Sequence, residues 1–92
     1  MKLIPTKEFT KTVSKITDKI AKKRLDDLTI KLENAKSLSE IPNVIQLKGI
    51  RGLFRITTGD FRLLIQQIKN GNIIIVLVDF RRRNEKTYKG FN

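Results

Sequence analysis

The sequence predicts an α+β fold: an N-terminal helix pair packed on a small, twisted, mainly antiparallel sheet, in the order β-α-α-β-β-β-β. Three observations carry this expectation. Apolar residues recur at helical spacing over 6–36, and from Val44 onward they fall instead into short runs suited to strands. Those runs are punctuated by Gly59-Asp60 and Asn70-Gly71, dipeptides that suit tight turns. No repeat, low-complexity tract or Pro/Gly-rich linker divides the chain, so residues 1–92 are read as one domain.

The elements follow in order. Leu3-Ile4 is a short apolar opening that suits a strand. Phe9, Val13, Ile16 and Ile20 then step by helical intervals, as do Leu25, Leu28, Leu32 and Ala35, but the two stripes are one residue out of phase. The slip falls at Ala21-Lys22-Lys23-Arg24, where a tight turn between two helices or a sharp bend is expected. Ser37 to Asn43 reads as a polar connector, because Pro42 disfavours helix at the residue before it. Val44–Leu47, Leu53–Thr57 and Phe61–Gln67 are strands, the last two forming a hairpin about Gly59-Asp60. Asn70-Gly71 suits a type I′ turn with both residues at positive φ. The run Ile73–Val78 is apolar throughout, which predicts an interior strand covered on both faces.

Composition excludes several kinds of chemistry. With 20 Lys plus Arg against 9 Asp plus Glu the net charge is +11, and the chain has no His and no Cys. There is thus no disulfide, no thiolate nucleophile and no imidazole base, and the usual zinc and haem ligand sets are missing. Asp26-Asp27 is not a metal site, since adjacent helical residues point about 100° apart. No cofactor is expected. The longest apolar run is far shorter than the ~20 residues that span a bilayer. Lys7, Glu8 and Lys11 leave no room for a signal-peptide core, and a cytoplasmic protein is expected. So large a positive excess on so small a body attracts polyanions: nucleic acid, an acidic protein or an anionic membrane surface, among which charge alone does not choose.

The strand cations are the most informative. Alternation puts Leu53 and Arg55 on one sheet face and Phe54 and Ile56 on the other; Arg62 and Leu64 likewise oppose Phe61, Leu63 and Ile65. Arg55 and Arg62 therefore share the face away from the main apolar set. Like charges so placed repel by up to ~1 kcal/mol unless an anion lies between them. Arg81-Arg82-Arg83 adds three guanidiniums at one end of the sheet.

These residues carry a resemblance. Leu47-Lys48-Gly49 followed by Gly52-Leu53-Phe54-Arg55-Ile56-Thr57-Thr58-Gly59-Asp60-Phe61-Arg62-Leu63-Leu64-Ile65 resembles the "LKG…G-Y-R-I-R-x-G-D-Y-R-hydrophobic" pattern of the RelE/ParE superfamily of toxins from bacterial toxin–antitoxin pairs. Tyr88-Lys89-Gly90-Phe91 is similar to that superfamily's "IYKxF" ending, while Thr57 departs from a position that is often basic. The RelE branch implies a metal-independent endoribonuclease that cuts mRNA on the ribosome by 2′-OH attack on the adjacent phosphate. The resemblance then implies that Arg62 clamps the scissile phosphate with Arg55 beside it, that Arg82 stabilises the leaving oxygen, and that Tyr88 stacks on a base or orients the 2′-OH. Lys48, Arg51, Arg81 and Arg83 would bind RNA. It also implies an acidic antitoxin as partner. A ParE-like gyrase inhibitor and a nonenzymatic basic nucleic-acid-binding module are the alternatives. The nuclease reading requires Arg55, Arg62 and Arg82 to meet around one phosphate-sized spot.

Overall fold

In a computed structural model, which describes residues 1–83, the chain runs β1 (Lys2–Pro5), α1 (Lys7–Ser14), α2 (Lys19–Asn34), a 3-10 turn (Leu38–Glu40), β2 (Val44–Gln46), β3 (Leu53–Thr58), β4 (Phe61–Asn70) and β5 (Asn72–Arg82). The five strands form one sheet in the order β1-β5-β4-β3-β2. β1 runs parallel to β5 and every other neighbouring pair is antiparallel. Both helices lie on one face of this sheet, as the helical and strand periods imply.

The helix break lies at Lys15–Asp18 and not at Ala21–Arg24, which is continuous helix within α2. Asp18 caps α2 by accepting from the backbone N–H groups of Ile20 (3.0 Å) and Ala21 (3.1 Å). A carboxylate there satisfies two amides that have no intrahelical partner. The buried stripe therefore begins at Ala21 and continues through Leu25, Leu28 and Leu32. Ile20, which periodicity assigns to the preceding stripe, is 67% exposed. Upstream, Thr6 caps α1 by accepting from Phe9 N–H, and its hydroxyl also contacts the carbonyls of Leu77 and Val78 on β5. One threonine thus both starts a helix and fastens it to the sheet.

Leu32, Ile56, Leu63, Ile65, Ile75 and Phe80 are fully buried between the two layers. Each such side chain contributes roughly 1.5–3 kcal/mol relative to leaving it in water. The connector ahead of Pro42 is less polar in role than its composition suggests, since Leu38 and Ile41 both reach this core. Ile41 is extended (φ −102°, ψ 127°), as expected before a proline.

One turn and one strand differ from their expected form. Asn70 continues β4 and pairs with Asn72, so Gly71 alone (φ 77°) takes the left-handed conformation instead of both residues of a type I′ turn. The apolar run Ile73–Val78 is interior, but helices cover only one side of it. Ile75 and Leu77 are buried beneath them, whereas Ile74, Val76 and Val78 on the other face are half-buried.

A β-bulge in β5 sets the rest of the geometry. Ile65 pairs with Leu77 but Leu64 pairs with Asp79, so Val78 is the extra residue. Downstream of it the alternation is reversed: Phe80 enters the core opposite Leu63, and Asp79 and Arg81 join Leu64 and Arg62 on the open face. Val78 packs there against Leu47, Leu53 and Leu64, a small second cluster beneath the polar residues.

Candidate functional site

Three arginines from three adjacent strands occupy the face away from the helices, at the β3–β4 turn end. Arg62 on β4 lies directly across from Arg81 on β5 and from Thr57 on β3. Arg55 pairs with Leu64, which places it diagonally from Arg62. Side chains directly opposite in antiparallel strands have Cβ atoms about 4.5–5.5 Å apart, and diagonal ones about 7–8 Å. All three arginines are half-buried. Nε of Arg55 and Nε of Arg62 are buried and make no hydrogen bond, although each residue has an interaction partner.

Among the described residues Asp79 supplies a carboxylate to this cluster, and sequence reading did not single it out. Its Oδ2 lies 2.6 Å from Arg81 Nε, and its Oδ1 accepts from Phe80 N–H at 2.9 Å. The residue is only 9% exposed. Its signal in the sequence was spacing: a carboxylate two residues before an arginine on one strand shares that arginine's face.

Arg82 is elsewhere, which corrects the expected convergence with Arg55 and Arg62. It pairs with Phe61 and stands on the helix side of the sheet, its Cζ 5.0 Å from the Phe61 ring centroid. Phe61 in turn stacks on Phe80 with centroids 4.9 Å apart. Arg82 Nη2 is also 3.8 Å from Asp18 Oδ2, at the mouth of a cleft of about 330 Å³ lined in part by Thr12, Lys15 and Asp18. The bulge explains the shift. With one residue added to β5, the arginine that reaches Arg62 is Arg81. The spot assigned from sequence to Arg55, Arg62 and Arg82 is thus built from Arg55, Arg62 and Arg81.

The remaining candidates lie around its margins. Arg83 follows β5, is exposed, and donates its N–H to Asp60 O at 2.8 Å. Lys48 and Arg51 are exposed on the β2–β3 loop, whose residues 46–51 line a shallow recess of about 380 Å³. The loop is pinned by buried Leu47 and by Gln66 Nε2 donating to Arg51 O at 3.0 Å. It flanks the open face at the Gln66 end, beyond Arg55. Tyr88 lies outside the described residues. Among the described residues no group of three His, Cys, Asp or Glu could hold a metal ion, and no helix is long and apolar enough to cross a membrane.

Chemically, this arrangement suits an anion with several oxygens. Guanidiniums hold their charge at neutral pH and present planar donors that match phosphate. The mutual repulsion of Arg62 and Arg81 is offset in part by Asp79 and would be relieved further by a bound phosphate.

No protein-family model matches the chain, and no curated protein matches it. Solved structures do. Over 97% of this chain and 99% of the other, it superposes with a TM-score of 0.73 and 21% identity on a chain of the RelB–RelE antitoxin–toxin complex from Methanococcus jannaschii. A chain of the archaeal RelE–RelB complex from Pyrococcus horikoshii OT3 matches with a TM-score of 0.71 and 21% identity, over 91% of this chain and 96% of that one. Two helices on one face of a five-stranded mixed sheet, matched over nearly the whole length of both chains, give this protein the RelE-like fold.

Proposed function

We propose that the chain is the toxin of a toxin–antitoxin pair, a ribosome-dependent mRNA endoribonuclease of the cytoplasm that an acidic antitoxin neutralises. The observation that carries this reading is the Arg62–Arg81 pair on the sheet face away from the helices, with Arg55 on its diagonal. The RelE-like fold supports it, since the two structures named above are antitoxin–toxin complexes. A net charge of +11 supports a polyanionic target and an acidic inhibitor alike.

In the proposed reaction a ribose 2′-oxygen attacks the adjacent phosphorus and the bond to the 5′-oxygen breaks. The products are a 2′,3′-cyclic phosphate and a 5′-hydroxyl end. Arg62 and Arg81 hold the non-bridging oxygens as negative charge accumulates on the phosphorane, and Arg55 secures the neighbouring phosphate. The chain has no His. Its arginines stay protonated and make poor bases, so catalysis rests on charge stabilisation and alignment, with water or the substrate carrying the 2′-OH proton.

The test is induction of the chain in growing cells followed by primer extension on translated messages. Discrete new 5′ ends that need translation, and that disappear when the antitoxin is co-expressed, are expected. Intact messages with arrested replication would overturn the ribonuclease reading in favour of gyrase inhibition. Salt-sensitive RNA binding without any cleavage would leave a nonenzymatic binder.

A further inference from the structure

We infer that Asp79 is a positioning residue that holds the Arg81 guanidinium in register with Arg62, an inference that rests on the proposed phosphate chemistry of this face. Two cations directly opposite each other on neighbouring strands tend to splay apart. Arg81 is held against that tendency by a short contact at Nε, 2.6 Å from Asp79 Oδ2. The carboxylate is itself fixed, because its other oxygen accepts from Phe80 N–H at 2.9 Å. Phe80 is fully buried and stacked on Phe61, so the peptide that orients Asp79 is anchored in the core. A chain of contacts thus runs from the packed interior, through one peptide N–H and one carboxylate, to the plane of one guanidinium.

The sign of the charge makes the role distinguishable from a merely electrostatic or structural one. A carboxylate in a site for a polyanion opposes binding. Removing it without changing its shape should leave RNA affinity unchanged or raised. A positioning role predicts the opposite for turnover, since misplacing a catalytic group by about 1 Å can cost on the order of 100-fold.

The experiment uses the full chain on ribosomes programmed with a defined message. For Asp79→Asn we expect kcat to fall about tenfold or more while KM stays level or falls, with Asp79→Glu recovering part of kcat. Asp79→Asn combined with Arg81→Ala should be no slower than Arg81→Ala alone, because the two act as one unit. Wild-type turnover in Asp79→Asn, or a further independent loss in the double variant, would overturn the assignment. A second readout does not depend on cleavage. In ¹⁵N-edited spectra, inorganic phosphate titrated into the wild type should shift the Nε–H signals of Arg62 and Arg81 at the same concentration. In Asp79→Asn only the Arg62 signal should follow it. If the wild type fails to cleave yet shows this paired response, the ribonuclease reading falls and the positioning role stands; if both signals respond in the variant, the positioning role falls.

Discussion

Arg62 and Arg81 face each other across β4 and β5 because a single bulged residue, Val78, reverses the alternation of β5 one step before Asp79. The proposed ribonuclease role of that pairing is tested most sharply by substitutions that keep the fold. Arg62→Ala and Arg81→Ala should each lower message cleavage by 10²–10³, the loss found when a preorganised donor to developing charge is removed, of order 3–4 kcal/mol. Arg62→Ala should change the melting temperature little, whereas Arg81→Ala takes the Nε–H contact from the nearly buried Asp79 carboxylate and should lower it. Primer extension and circular dichroism on the same preparations check this.

Arg82→Ala should behave differently. It removes a contact to the Phe61 ring and a long ion pair with Asp18, both partly exposed, and neither is worth more than ~1 kcal/mol at such a site. The expected outcome is a melting temperature a few degrees lower, with cleavage closer to wild type than in Arg81→Ala. Loss of cleavage equal to that of Arg62→Ala would return Arg82 to the reacting centre.

Asp18 tests the helix break. Asp18→Ala removes the acceptor of two amide bonds at the start of α2 and should cost about 1 kcal/mol, whereas Asp18→Asn keeps most of the cap. In a domain of this size that is a melting shift of roughly 4–8 °C.

Two glycines with similar backbones should respond unequally to alanine. A Cβ on Gly52 (φ 79°) would lie 2.6 Å from Gln66 Nε2 and 2.9 Å from the carbonyl oxygen of Gln67, while one on Gly49 (φ 89°) would meet nothing within 4 Å. Gly49→Ala should cost only the left-handed penalty of ~1–2 kcal/mol. Gly52→Ala adds a backbone clash inside the sheet and should cost clearly more, as urea denaturation midpoints will show.

RNA binding by this face should weaken steeply with salt. For single strands each neutralised phosphate contributes a slope of about −0.7 in log affinity against log salt concentration. Arg55→Ala should flatten that slope by about this amount, measured by anisotropy of a labelled oligonucleotide.

Much of the fold was legible in sequence because apolar periodicity reports burial directly. Leu25, Leu28 and Leu32 marked the inward face of α2, and alternation around Gly59-Asp60 put Arg55 and Arg62 on the open face. What misled was local chemistry that periodicity does not encode. The cap supplied by Asp18 fixes the helix break at Lys15–Asp18, six residues upstream of the slip in the stripe. The bulge at Val78 lies inside an unbroken apolar run, where an extra residue leaves no compositional trace. The cluster around Arg62 therefore takes its β5 guanidinium from Arg81, where sequence placed Arg82, and Asp79 went unread because the face it occupies depends on that same bulge.

The parallel pairing of β1 with β5 has a consequence for how the polypeptide is made. β1 has no partner until Ile74–Leu77 exist, and the sheet order leaves β4 as an open edge until then. Loop closure over so long a separation is slow, and incomplete sheets with bare edges invite aggregation and proteolysis. A message truncated before β5 should therefore yield debris for the quality-control proteases, never a weakened but surviving molecule.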